Sequence, residues 1–155
     1  MRKIVTKLLI GMAIAAIGLF GADSSIGTWK WNAAKSKSIS TNPLKSRTDV
    51  YEATADGGVK VTRTELRADG TTHNSSYTFK YDGKEYPVTG QTFDTISAKR
   101  IDANTVVQVT KKTGGLTNQM GRHVYSKDGK TKTSTITGTD SAGKPVKSDY
   151  VYDKQ

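Results

Sequence analysis

The sequence predicts an all-β domain: a single antiparallel up-and-down β-barrel of about ten strands, preceded by a signal-peptide helix. Three observations carry this reading. Turn signals such as Asp56-Gly57, Asp69-Gly70, Asp82-Gly83, Gly114-Gly115 and Asp128-Gly129 recur at intervals of about 10 to 13 residues. The runs between them are rich in Thr, Val, Tyr and Ile, residues that suit a pleated, half-buried surface. No segment beyond residue 22 repeats apolar residues with a helical period.

The N-terminus reads MRKIVTKLLIGMAIAAIGLFGA, with Arg2, Lys3 and Lys7 ahead of an apolar run from Leu8 to Phe20 and small residues at Gly21 and Ala22. That order of basic, apolar and small residues is the pattern of a secretory signal peptide. The run is shorter than the roughly 18 apolar residues that mark a spanning helix, so cleavage is expected and no transmembrane segment after it. The expected domains are residues 1–22 as signal and 23–155 as one barrel, about 133 residues and enough for a single core. There is no cysteine, so an exported fold must hold together by packing and sheet hydrogen bonds alone.

The chain has 24 basic and 14 acidic residues; residues 1–22 hold three of the former and none of the latter, leaving a mature balance of 21 against 14. A positive surface favours anionic surroundings. The lysines are scattered among threonines and serines rather than clustered, which argues against a specific nucleic-acid site and for a solvated face that also protects sheet edges.

Taken in order, the strands are expected at 27–31, 47–54, 59–67, 71–81, 85–89, 92–101, 105–112, 117–126, 131–138 and 145–153. The opening strand carries both tryptophans, Trp29 and Trp31, on one face. Asn32–Lys45 is the one long irregular connection, a length that suits a lid or a helical turn. In 71–81 the odd positions, including Tyr77 and Phe79, form the inward face. In 117–126 the orientation stays open: Met120, Arg122 and Val124 share one face, Gly121, His123 and Tyr125 the other, and the rarity of buried Arg favours the second as inward. The run 131–138 is nearly all Thr, Ser and Lys and has no apolar face to orient it. In 145–153, Tyr150 and Tyr152 share a face with Val146 and Ser148.

Gly27-Thr28-Trp29-Lys30 resembles the G-x-W opening strand of calycins, the group of lipocalins and fatty-acid-binding proteins. Tyr150-Val151-Tyr152-Asp153-Lys154 is similar to the Arg-x-Tyr-Glu-Lys ending of the latter, with Tyr150 at the Arg position. The layout from GTWK through YDGKEYPVTG and SKDGKT to VYDKQ also resembles secreted, lipocalin-like bacterial proteins of uncharacterised function over nearly the whole mature chain. The resemblance implies a closed calycin-like barrel that holds a small molecule. It does not carry over the Arg-x-Tyr carboxylate clamp, and Asn32–Lys45 is too short for the helical lid of fatty-acid-binding proteins.

The expected function is therefore non-catalytic sequestration of an amphipathic or apolar ligand by an exported monomer, periplasmic or secreted. Its lining candidates are Trp29, Trp31, Tyr77, Phe79, Met120, Arg122, Tyr150 and Tyr152, with Arg122 able to hold an anionic head group if it faces inward. The alternative is an interaction protein with a filled barrel whose basic outer face binds anionic envelope polymers. Two histidines without cysteines, His73 and His123, give no metal-ligand spacing, and no nucleophile motif occurs, so neither metal, cofactor nor catalytic residue is expected. Mass spectrometry of exported protein is expected to find the N-terminus at Ala22, Asp23 or close by; an intact Met1 on membrane-bound protein would show an anchor instead.

Overall fold

The computed structural model describes residues 23–39 and 42–155; the expected signal at 1–22 lies outside the described residues. Eleven strands follow one another: β1 (Gly27–Trp31), β2 (Lys37–Ser38), β3 (Leu44–Ala53), β4 (Val59–Arg67), β5 (Thr72–Phe79), β6 (Asp82–Pro87), β7 (Thr95–Asp102), β8 (Thr105–Lys111), β9 (Asn118–Tyr125), β10 (Thr131–Thr139) and β11 (Pro145–Lys154). Their order in the sheet is β5-β4-β3-β1-β11-β10-β9-β8-β7-β6, with neighbouring strands antiparallel. First and last strands are thus neighbours, and the meander closes except between β5 and β6, which share no ladder.

The expected irregular connection holds a 3-10 turn, Ala33–Lys35, capped by the Asn32 side chain, which accepts from the Lys35 amide. The chain then resumes beside β11 as β2. The opening strand is in effect one strand broken by this turn, and that accounts for the eleventh element beyond the expected ten.

Strand register divides the interior into layers. Across β3, β4 and β5, Tyr51, Val61 and Tyr77 lie side by side, as do Asp49, Arg63 and Ser75 in the next inward row and Arg47, Glu65 and His73 in the one after. The same strands therefore present apolar side chains at one end of the barrel and charged ones at the other. The apolar end is filled by Trp29, Val59, Val61, Phe79, Ile96 and Val106, each at most 3% exposed. Residues 23–25 seal that end: the Trp29 indole donates to the Ser25 carbonyl at 2.8 Å, the Tyr81 hydroxyl bonds Ser25 Oγ at 2.9 Å, and Arg100 holds the Asp23 carboxylate at 2.6 Å.

The orientation of β9 is settled by packing. Gly121, His123 and Tyr125 point inward, and Met120, Arg122 and Val124 outward. A β-carbon on Gly121 would sit 2.9 Å from both His123 Nε2 and Ile136 Cδ1, so the missing side chain makes room for the imidazole and for β10. In β10 the buried face is Lys132 and Ser134, while the β-branched Thr133 and Thr135 face solvent.

Candidate functional site

Above the apolar plug lies a cavity of about 1010 Å3. It opens between the chain around Ile39 and Asn42, the β6–β7 loop at Gly90 and Gln91, and the β10–β11 turn at Ser141 and Lys144. Its volume reaches the top of the range for small-molecule sites, about 300–1,000 Å3. The floor is a charge cluster at the boundary of plug and cavity. Asp49, 1% exposed, accepts from Arg63 Nε at 2.8 Å and Arg47 Nε at 3.1 Å on Oδ1, and from Arg63 Nη2 and Lys132 Nζ at 3.4 Å each on Oδ2. Beside it Glu65 accepts from Arg67 Nη2 at 2.7 Å and Nε at 3.0 Å.

These contacts follow from the pleat. Arg47 and Asp49 alternate on the inward face of β3, and Arg63, Glu65 and Arg67 on that of β4. The register then sets Asp49 opposite Arg63 and Arg47 opposite Glu65. Burial opposes the ionisation of Asp49, but the three cations around it win and hold its carboxyl well below the usual range. Burial also pushes down the Lys132 amine; Asp49 favours its charge, but with Arg47 and Arg63 already neutralising that carboxylate the amine settles at about 7. When protonated, it lies over the Tyr152 ring at 4.0 Å and the Tyr51 ring at 4.8 Å.

His123 Nδ1 pairs with Ser134 Oγ at 2.8 Å, and its Nε2 is buried without a partner among the described residues. Burial first, then the neighbouring cations Lys132, Arg63 and Arg47, lower the imidazole to about 3. A serine and a histidine in contact suggest a nucleophile and its base. Burial and the surrounding cations make this ring a weak base, and its Nε2 meets no carboxylate among the described residues, so the pair lacks the orienting acid of a catalytic triad.

The eight residues expected to line the site are distributed unevenly. Tyr150 and Tyr152 line the cavity. Trp29, Tyr77 and Phe79 belong to the apolar plug, and Trp31 is half buried with its ring edge-on to Tyr150 at 6.4 Å. Met120 and Arg122 stand on the outer face because β9 turns His123 inward, so Arg122 does not enter the barrel. The inward cations are instead Arg47, Arg63, Arg67 and Lys132, on strands whose charges suggested a solvated face. The available signal was period-two alternation of opposite charges, Arg47-x-Asp49 and Arg63-x-Glu65-x-Arg67, continuing the faces of Tyr51 and Val61.

No protein-family profile matches the chain, and no curated protein sequence does. Solved structures do. The fluorescent protein UnaG superposes with a TM-score of 0.57 at 14% identity over 85% of this chain and 98% of its own. A Schistosoma mansoni fatty acid binding protein, in complex with arachidonic acid, gives 0.56 at 17% over 85% and 96%. The S-type phycobiliprotein lyase CPES of Guillardia theta gives 0.59 at 10% over 85% and 89%. At these identities the likeness shows the fold: a calycin-type barrel of the fatty-acid-binding-protein kind.

Asp49→Asn takes the counterion from the buried Lys132 and from the partly buried Arg63 and Arg47, and is expected to destabilise the barrel by about 3–5 kcal/mol in chemical denaturation. His123 supplies a pH test. The folded ring resists a proton that the unfolded chain accepts near 6.5, so stability falls as pH drops from about 6.5 towards 3, and His123→Gln is expected to flatten that decline.

Proposed function

We propose that this protein is a non-catalytic carrier that holds one small amphipathic anion inside the barrel, acting as an exported monomer. The observation that carries the reading is the cavity of about 1010 Å3 floored by more cations than carboxylates. Arg47, Arg63, Arg67 and Lys132 face Asp49 and Glu65. Asp49 takes the Nε of Arg47 and the Nε and Nη2 of Arg63, and Glu65 lies 4.0 Å from Arg47 Nη1, which leaves Arg63 Nη1 and Arg47 Nη2 for an anionic ligand. Tyr51, Phe93 and Tyr150 offer apolar surface to the rest of the molecule.

Neighbours in fold space support ligand binding in this kind of barrel: one is a fatty acid binding protein with arachidonic acid bound. Another is a lyase, which keeps catalysis among the outcomes to test. The site here supports sequestration, since Asp49 and Glu65 are committed to cations and burial with the neighbouring cations lowers the basicity of His123. Export is supported by the basic, apolar and small order of Met1–Ala22; a chain cut after Ala22 keeps every interaction described above.

Native mass spectrometry of purified mature protein is expected to show a co-purifying acidic molecule, recovered chemically unchanged. Adding it back to ligand-free protein is expected to change tryptophan emission through Trp31, which packs against the cavity-lining Tyr150. Arg63→Met should weaken its binding by about 1.5–3 kcal/mol, while Arg122→Met, on the outer face, should not. A bare polypeptide mass, with no response to fatty acids, uronic acids or aromatic acids, would transfer the function to the basic outer face and an anionic envelope polymer. A ligand returned chemically altered would make the protein an enzyme.

A further inference from the structure

We infer that the ligand is an acidic saccharide, a hydroxyl-rich ring bearing a carboxylate, rather than an alkyl-chain acid. The inference rests on the cavity-binding function proposed above and specifies its ligand class. It starts from the wall above the charge cluster. Ser75, Gln108 and Thr110 line the cavity, and none of their side chains makes a hydrogen bond among the described residues. The Thr117 hydroxyl, in a residue 3% exposed, also lines it and is buried without a partner. Thr110 is 8% exposed.

These groups decide between the two kinds of acid. An alkyl chain laid along this wall would remove the Gln108 amide and the Ser75 and Thr110 hydroxyls from water and return no hydrogen bond, so each would become a buried unsatisfied group. A pyranose presents donors and acceptors around its whole rim and can meet an amide such as Gln108 with both. Its C–H faces are apolar and match the flat rings of Tyr51, Phe93 and Tyr150, which line the same cavity. The carboxylate matches the guanidinium N–H groups of Arg63 and Arg47 that Asp49 and Glu65 leave open. The apolar side chains that would sheathe a fatty tail in such a barrel are instead packed against one another at the closed end, as Val61, Phe79 and Ile96.

Titration calorimetry of the ligand-free mature protein separates the possibilities, with D-glucuronate, a uronic-acid trisaccharide, D-glucose and palmitate as probes. A uronate is expected to bind best, with D-glucose at least about tenfold weaker for want of the charge-assisted contact. Tighter binding of the trisaccharide would indicate a polymer end as the source, and tighter binding of the monomer a free sugar acid; both support the inference. Gln108→Leu and Thr110→Val, checked for native near-ultraviolet dichroism and an unchanged melting temperature, should each weaken the uronate about three- to tenfold and leave palmitate unchanged or improved. Palmitate binding more tightly than every uronate, or folded Gln108→Leu and Thr110→Val proteins that bind the uronate like the parent, would overturn the inference and leave cavity binding standing. Heat from none of the probes would overturn the inference, and the same silence extended to aromatic acids would overturn cavity binding as well.

Discussion

The buried carboxylate of Asp49 governs how the rest of this barrel is arranged. It stands at mid-height inside the sheet, almost inaccessible, with Arg47, Arg63 and Lys132 on its two oxygens. None of these charges could occupy that depth alone, since an unpaired ion loses several kcal/mol of hydration on burial. Together they form a polar stratum between the aromatic plug and the open cavity. Their inward turn also explains Tyr51 and Tyr152, whose rings flank the Lys132 ammonium and give it a second, non-ionic partner.

Such a cluster is a poor device for stability. Well-packed apolar residues of similar volume commonly do as well as a buried ion group or better. The apolar half already supplies a continuous core from Trp29 through Phe79 to Tyr125, locked at its end by Ser25 and Arg100. That division of labour lets the other half remain hollow: stability is concentrated where the strands are filled, and the walls beyond Asp49 carry hydroxyls, amides and guanidinium groups that a core would not contain. The 3-10 turn at Ala33–Lys35 and the gap between β5 and β6 leave this half less tied together than the plug.

The barrel was legible in the sequence because its signals are local. Asp-Gly turns at short intervals dictate hairpins, and hairpins joined by short connections dictate a meander that must close. The Tyr77 and Phe79 face was readable from alternation, and so was that of Tyr150 and Tyr152. The charged floor was not, for a physical reason: alternation shows which residues share a face but not which face is inside when one is charged and the other is threonine. In β10 the threonines are the more apolar choice and yet point outward, because Lys132 has Asp49 to meet across the barrel, a partner 83 residues away in the chain. For β9 alternation left two faces open, and the cost of burying an arginine favoured the orientation found, with Arg122 outside; what alternation does not record is the packing that fixes it, His123 and Ile136 against the bare α-carbon of Gly121.

The central claim is that the ion cluster exists for an anionic ligand and not for the fold. Chemical denaturation of the triple variant Asp49→Leu, Arg63→Met, Lys132→Met, with the best-binding acid titrated alongside, tests it most directly. The account predicts a denaturation midpoint equal to or above that of the parent, together with loss of acid binding. A protein several kcal/mol less stable that still binds the acid with parental affinity would contradict it.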